Sequence, residues 1–417
     1  MNRTRLAASL VMFAALPALA ATAQEKPAAV SAEAWQVHQR AIVLDTHLDT
    51  PANFGRPGWS ILDDHARDGA FSQVDLPRMK EGGLDGGFWA VYTGQGPRDA
   101  AGNRAARDRG LKRLVQIREM LAAHPDSFEL ALTADDAVRI EKSGKRVVFV
   151  SMENASPLAS DPSLLEAYYR LGLRMVGVAH FLNNDFGDSA TDPKGPEWHG
   201  LSPKGRELVA QANRLGIVLD ASHSSDDVLD QLLELSKAPI VLSHSGSKAV
   251  FDHPRNVDDE RLRKLAAKGG LIHVNAYGGY LIPAPKIPER QAALDALEEK
   301  YGPEGELTEE KIQDWLREQA RIDAKYPVPK ASLDDFMRHL LHILDVVGPK
   351  HVGIGADWDG GGGVDGLQDV SDLPKITERL LQAGYSEQDI DDIWGGNLLR
   401  VLRQVQASAG QADAKAD

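Results

Sequence analysis

The stretch Ile42–Pro51, IVLDTHLDTP, decides the fold. It opens as an apolar run of strand length and breaks into three polar positions, His47, Asp49 and Thr50. Side chains alternate across a strand, so His47 and Asp49, two apart, project from one face. An imidazole beside a carboxylate at the end of a buried strand either satisfies its neighbour or holds a cation. A doubly wound open sheet would follow its first strand with a glycine-rich phosphate turn. DTHLDTP contains no glycine, so the open sheet is set aside.

The same event, an apolar strand running into a ligand-type residue, recurs along the chain. Seven more runs of strand length follow: Gly83–Thr93, Arg146–Asn154, Leu173–His180, Gly216–His223, Pro239–Ser245, Leu271–Tyr277 and His351–Asp359. Amphipathic segments with helical spacing separate them, at Arg104–Ala123, Pro203–Leu215, Ser225–Leu235, Asp258–Lys268 and Leu333–Val347. Ser202 and Ser332 are placed to cap helix starts, and Gly172, Gly216, Gly269 and Gly348 fall where helices should end. Eight buried strands alternating with helices predict an α/β protein with a closed (β/α)₈, TIM-like barrel.

One connection is too long for a loop and a single helix. Between Tyr277 and His351, residues 281–330 are charged and proline-punctuated, with helical spacing around Leu294–Lys300 and Thr308–Ala324. They read as a helical insertion after strand seven, on the catalytic face, serving either as a lid or dimer element or as a solvated excursion without a role. Two helices, Asp372–Leu381 and Ser386–Val401, finish the fold, with Trp394 and Asn397 packing the last against the barrel.

The barrel domain is expected over residues 31–405. Before it, Arg3 and Arg5 precede the apolar run Leu6–Leu19 and a series of small residues, the pattern of a signal peptide over residues 1–23. The apolar run is short for a membrane span and is broken by Pro17. A linker covers 24–30 and a polar tail 406–417. The expected protein is exported, periplasmic or secreted. Cleavage would leave 45 Lys+Arg against 61 Asp+Glu, a formal charge of −16. Such a surface repels nucleic acid and anionic lipid. With no cysteine in the chain, disulfides and a cysteine-borne lipid are excluded, and no stable membrane anchor is expected.

Active sites of barrels lie at the carboxyl ends of the strands. Those ends carry His47 and Asp49, Glu153, His180, His223, His244, and the pair Asp357 and Asp359. Thirteen histidines in 417 residues would place fewer than one among roughly 24 strand-end positions, yet four are there. Glu153 closes VVFVSM, where an uncompensated carboxylate is costly. His124, His253, His273, His339, His342 and His351 lie on helices, in loops or mid-strand and are left out. Imidazoles and carboxylates without a thiolate make a site suited to zinc. Their number exceeds the three ligands of a mononuclear centre, so a bridging carboxylate and two ions account for them best. Two such ions can hold a hydroxide between them at neutral pH.

DTHLD, the glutamate of VSMEN, GVAH, LDASH, LSHS with its downstream RNV, and GIGADWDG together resemble the renal (membrane) dipeptidase family, zinc peptidases on an amidohydrolase-type, metal-dependent hydrolase barrel. The resemblance runs over nearly the whole mature chain. It implies two Zn²⁺ per subunit, one on His47 and Asp49, the other on His223 and His244, with Glu153 bridging. It implies that His180 faces the substrate and steadies the oxyanion, and that Arg255 grips a dipeptide carboxylate, a geometry that suits a guanidinium fork. Asp357 would hold the substrate amine and relay a proton, with Asp359 its rival. Small dipeptides, including L,D- or D,D-dipeptides, are the expected substrates. Asn154 and Ala155 stand where the family usually has glycines, which bears on pocket shape. Gly360–Gly363 reads as a turn, since it lacks the lysine of a phosphate-binding loop.

Two alternatives have their own signatures. A dinuclear hydrolase for lactones or phosphotriesters usually opens H-x-H and bridges with a modified lysine, whereas this chain opens H-x-D and offers Glu153. A zinc-storage protein would carry His-rich loops, which the sequence lacks, and would need neither Arg255 nor Asp357.

Overall fold

The computed structural model describes residues 30–65, 72–301 and 309–409. The segment read as a signal peptide, the linker up to residue 29 and residues 410–417 of the polar tail lie outside the described residues. In chain order the strands are β1 (Leu44–Leu48), β2 (Gly86–Tyr92), β3 (Phe128–Leu130), β4 (Arg146–Glu153), β5 (Leu173–Gly177), β6 (Val218–Asp220), β7 (Val241–Ser247), β8 (Asn256–Val257), β9 (Leu271–Val274) and β10 (Val352–Ile354). Eight of them pair in the order β1-β2-β4-β5-β6-β7-β9-β10, every pairing parallel. A parallel bridge from Leu48 to Trp358, with the Asp49 N–H donating to the Trp358 carbonyl at 2.9 Å, brings the last strand back to the first. This is the expected (β/α)₈ barrel.

Strands β3 and β8 were not expected. They pair only onto β4 and β7, and at three and two residues they are too short to leave a periodicity. The barrel strands are buried almost throughout because helices cover the outside and side chains fill the inside. At the amino end of the barrel, Leu44, Val147, Val218 and Leu271 pack with Ile140 of helix Ala134–Lys142 and Leu398 and Leu402 of helix Asn397–Ala407. That end is stoppered. Chemistry is left to the other.

The capping signals act as read. Ser202 Oγ accepts the Gly205 N–H at 3.1 Å, and Ser332 and Asp335 cap each other reciprocally. Gly172, Gly216, Gly269 and Gly348 all have positive φ. The last helix departs from expectation. It runs unbroken from Glu387 to Ala407, past the expected Val401, but widens midway into a π turn at Asp392–Gly396 between Glu387–Asp391 and Asn397–Ala407. The widened turn lets Gly395 seat its backbone against the Ile42 carbonyl, where a Cβ would collide. Trp394 and Asn397 fix this junction as anticipated. The indole N–H donates to Thr377 Oγ1 at 2.8 Å, and the Asn397 amide donates to the Pro349 and Val352 carbonyls at 2.7 and 3.0 Å.

The long connection after β9 holds helices Pro288–Tyr301 and Glu309–Lys325. They lie against each other through Arg290–Asp323 and Lys300–Glu318, each 2.6 Å. The expected helical spacings fall within them, apart from Thr308, which lies outside the described residues.

Candidate metal centre

The candidates reach the centre from six strands, at or near their carboxyl ends, with His47 and Asp49 sharing β1. His47 is the fourth residue of β1, and Asp49 follows the strand, its N–H held by Trp358. Glu153 is the last residue of β4. His180 lies three residues beyond β5, with Ser189 Oγ donating to its carbonyl at 2.5 Å. His223 lies three beyond β6, and Asp357 three beyond β10. Both have φ in the left-handed region, 65° and 67°, costly for residues with a Cβ and typical of functional sites. His244 sits inside β7 rather than at its end, because β7 runs on to Ser247 where β8 pairs beside it.

Glu153 lies at the middle. Its Oε2 is 3.5 Å from His47 Nε2, while its Oε1 is 3.2 Å from His223 Nε2, 3.6 Å from His244 Nε2 and 3.5 Å from His180 Nε2. On the first side, His47 Nε2 is 3.2 Å from Asp49 Oδ2 and 3.9 Å from Asp357 Oδ1. On the second, the Nε2 atoms of His223 and His244 face each other at 2.8 Å. By distance alone His180 stands with the other imidazoles. It differs in being the most solvent-reached of the four, against Tyr92 and Phe181 at the mouth.

Burial and mutual charge set the protonation states. Burial, with the like charges of Asp49 and Glu153, pushes the Asp357 carboxyl well above its ordinary range, and burial raises Glu153 as well. Burial, then the charges of Arg255 and His47, pushes His180 down to about 3. Burial also lowers His223 and His244 well below the ordinary imidazole range, so these rings are neutral, the form that ligates metals. Burial lowers His47 too, but the Glu153 and Asp49 carboxylates reverse this and hold it well above 6.5.

Arg255 is buried, not the surface arginine its polar loop suggests. Its Nη2 donates to the His244 carbonyl at 3.0 Å and its Nη1 to Ser245 Oγ at 3.4 Å, with the guanidinium over the Tyr280 ring. Among the described residues no carboxylate forms an ion pair with it, and its Nε has no hydrogen-bond partner. Asp359 turns away from the centre. Its Oδ1 accepts the Gln73 N–H at 2.5 Å, so Asp357 alone of the pair enters the cluster. Asn154 has φ of 57°, a conformation asparagine tolerates better than most residues, which lets it replace a glycine. Its amide spans the Thr93 carbonyl and the Ser156 N–H at 3.0 Å each.

Residues 31–416 match the family model described as membrane dipeptidase, peptidase family M19. The chain belongs to the membrane dipeptidase family. It is 32% identical over 338 residues to dipeptidase tcpJ of Claviceps purpurea, covering 80% of this chain and 69% of that protein. The crystal structure of the probable dipeptidase PvdM from Pseudomonas aeruginosa is 31% identical with a TM-score of 0.77, covering 90% of this chain and 98% of that one. A metallo peptidase from Rhodobacter sphaeroides, solved with a phosphinate mimic of the dipeptide L-Ala-D-Ala, is 26% identical with a TM-score of 0.69, over 88% and 99%. This M19 enzyme is therefore a hydrolase, a dipeptidase of a metallopeptidase family.

The residues present fit a metal. Three groups of donor atoms, His47/Glu153/His244, Glu153/His180/His223 and His47/Asp49/Asp357, each converge within 4.8 Å. Both ring nitrogens of His47, Asp49 Oδ1 and His223 Nδ1 are buried without hydrogen-bond partners. A protein interior rarely leaves so many polar atoms unmet in one place.

Two features of the centre escaped the sequence reading. Asp220 and Ser243 lie directly behind His244, and Gly360 lies against two of the carboxylates. An acid or hydroxyl inside an otherwise apolar strand, as in IVLDAS and IVLSHS, was the available signal for the first pair.

Proposed function

We propose that this M19 dipeptidase holds two Zn²⁺ per subunit and cleaves free dipeptides, including those with a D-residue at the carboxyl position. The observation that carries this is Glu153, whose two oxygens face two separate donor sets. In this reading His47 and Asp49 hold one ion, His223 and His244 the other, and Glu153 lies between. Bound there, the ions would supply Lewis acidity and a water acidified to a pKa of about 7.

The chain's own residues do the rest. Arg255, buried beside the centre without a carboxylate partner, binds the substrate carboxylate. Asp357 holds the free amine, takes the proton from the attacking water and delivers it to the leaving nitrogen. Neutral His180, on the solvent side of the cluster, donates a ring N–H to the oxygen that becomes negative. A cation at one end and acids at the other select a substrate charged at both termini over a longer peptide. The L-Ala-D-Ala mimic bound by the Rhodobacter sphaeroides relative supports a mixed-chirality substrate. The signal-like residues 1–23 support export to the periplasm or beyond, and the 288–325 hairpin is a candidate homodimer contact.

The test is elemental analysis of purified protein together with hydrolysis of an L,L, L,D and D,D dipeptide panel, with and without chelator. Two zinc ions per chain and chelator-sensitive cleavage are expected. Fully active protein without bound metal overturns the reading.

A further inference from the structure

The geometry points to Asp220 and Ser243 as a positioning relay that fixes the ring tautomer of His244, and so leaves its Nε2 bare for a metal. This inference rests on the reading of His244 as a ligand through Nε2. Asp220 ends β6 and Ser243 precedes His244 on β7, and all three residues are buried. Asp220 Oδ1 accepts two backbone N–H groups, from Ser222 and Ser243, each at 2.9 Å. Its Oδ2 accepts the Ser243 hydroxyl at 2.5 Å. With its proton committed to the carboxylate, Ser243 Oγ can only accept from His244 Nδ1, 2.8 Å away. The proton therefore sits on Nδ1, and Nε2 presents a lone pair toward Glu153 and His223.

The other two ligand rings are held differently. His47 and His223 each have an Nδ1 without a hydrogen-bond partner. Asp45, which occupies the matching place on β1, touches no imidazole. It accepts the backbone N–H groups of His47 at 2.8 Å and Ala356 at 3.0 Å. Metal-ligating histidines usually donate their second ring N–H directly to a carboxylate, carbonyl or water. Here a serine hydroxyl stands between, so the polarity of the whole chain is set by the carboxylate.

That polarity can be inverted. In Asp220→Asn, the two backbone N–H groups at Oδ1 require an acceptor, so the amide oxygen must stay there and the NH₂ must face Ser243 Oγ. The serine proton then turns to His244 Nδ1 at 2.8 Å, the nearer of its two remaining neighbours (Ser222 Oγ lies at 3.3 Å), and this drives the ring proton onto Nε2, where a metal would bind. Ser243→Ala removes the hydroxyl but enforces neither tautomer. Loss of such an outer partner typically costs ten- to a hundredfold in metal affinity.

The experiment measures zinc affinity of the full chain by competition with a chromophoric chelator, for the natural protein, Ser243→Ala, Asp220→Asn and the double variant. Long-range ¹H–¹⁵N spectra of histidine-labelled, metal-stripped protein report the His244 tautomer directly. Expected are an Nδ1–H ring in the natural protein, a roughly ten- to hundredfold loss of affinity in Ser243→Ala, and a larger loss in Asp220→Asn. The double variant should bind more tightly than Asp220→Asn alone, because the misdirected hydroxyl is gone; a purely structural role would make it weaker. An Nε2–H ring in the natural protein, or unchanged affinity in Ser243→Ala, overturns the relay. Natural protein that takes up no zinc overturns the metal reading instead, and the relay with it.

Discussion

Gly360 offers the sharpest probe of the centre because replacing it adds one carbon and no charge. A Cβ at position 360 would lie closer than 3.0 Å to both Asp49 Oδ2 and Asp357 Oδ1, an approach that real Cβ atoms essentially never show. To restore ordinary van der Waals separation, at about 3.5–4.0 Å, the two carboxylate oxygens must each retreat by about 1.2–1.8 Å. The backbones cannot yield: the Asp357 carbonyl accepts the Gly360 and Gly362 N–H groups at 3.1 and 2.8 Å, and the Asp49 N–H is held by the Trp358 carbonyl at 2.9 Å, so the retreat falls on the two carboxylate side chains. A misplacement of about 1 Å at a reacting group can cost about a hundredfold in rate, and overpacking costs about 1–3 kcal/mol of stability. Gly360→Ala is therefore expected to fold with a lowered urea midpoint and to lose about a hundredfold in kcat/KM on a good dipeptide. The assay is steady-state hydrolysis alongside metal analysis and urea unfolding. Natural turnover and natural metal content in a folded Gly360→Ala protein would refute the placement of Asp49 and Asp357 against this turn.

Other substitutions separate the roles. Asp357→Asn keeps the side-chain volume and should keep bound metal, yet lose roughly 10²–10⁴ in kcat; full activity would remove Asp357 from proton transfer. Arg255→Ala should raise KM for dipeptides by roughly ten- to a hundredfold, the loss of charge-assisted hydrogen bonds of about 1.5–3 kcal/mol, with little change in kcat. An unchanged KM discards the carboxylate clamp. Far from the centre, burial holds His38 down at about 4 against an ordinary 6.5. Its ring accepts from Thr377 at 2.8 Å and donates to the Gly82 carbonyl at 2.9 Å, so a second ring proton has no acceptor. The folded pKa lies below the unfolded one, so this contribution is full above pH 6.5 and is lost as pH falls toward 4, about 3 kcal/mol in all. Urea unfolding from pH 7 to 4.5 should show that loss in the natural protein and a shallower one in His38→Gln; identical slopes would refute it.

What the chain disclosed about itself follows the range of the interactions involved. His47, Glu153 and His223 were legible because each interrupts or ends a run that is otherwise apolar, and a barrel puts such positions in one place. The helix caps at Ser202 and Ser332 were legible because their partners lie three residues away. Arg255 was reached only through the family resemblance and not from its own surroundings in the chain, since its burial depends on β8 pairing beside β7 and on Tyr280 from a later segment. The π turn at Asp392–Gly396 stayed hidden for the same reason. Only the approach of Gly395 to Ile42, hundreds of residues earlier, explains it. The turn at Gly360 was seen as a turn, but its first glycine is required by carboxylates that the fold delivers from elsewhere.

The electrostatics of the centre tie these pieces together. Asp49, Glu153 and Asp357 are buried in one cluster, where His47 and then Arg255 oppose the rise that burial gives the Glu153 and Asp357 carboxyls. On its own the chain penalises this arrangement, and the raised pKa values of Glu153 and Asp357 express that penalty as a pull toward protonation. Three of the imidazoles, His180, His223 and His244, are pushed the opposite way, toward the neutral form, by burial and by Arg255, while the Glu153 and Asp49 carboxylates draw His47 toward its protonated form. Crowded buried carboxylates, facing neutral imidazoles on one side and the proton-drawing His47 on the other, form a donor set that a multivalent cation would satisfy. Strained φ at His223 and Asp357 is tolerated in the same place for the same reason. The scaffold holds donors that repel or fail to satisfy each other, and only a ligand of high positive charge makes that geometry favourable.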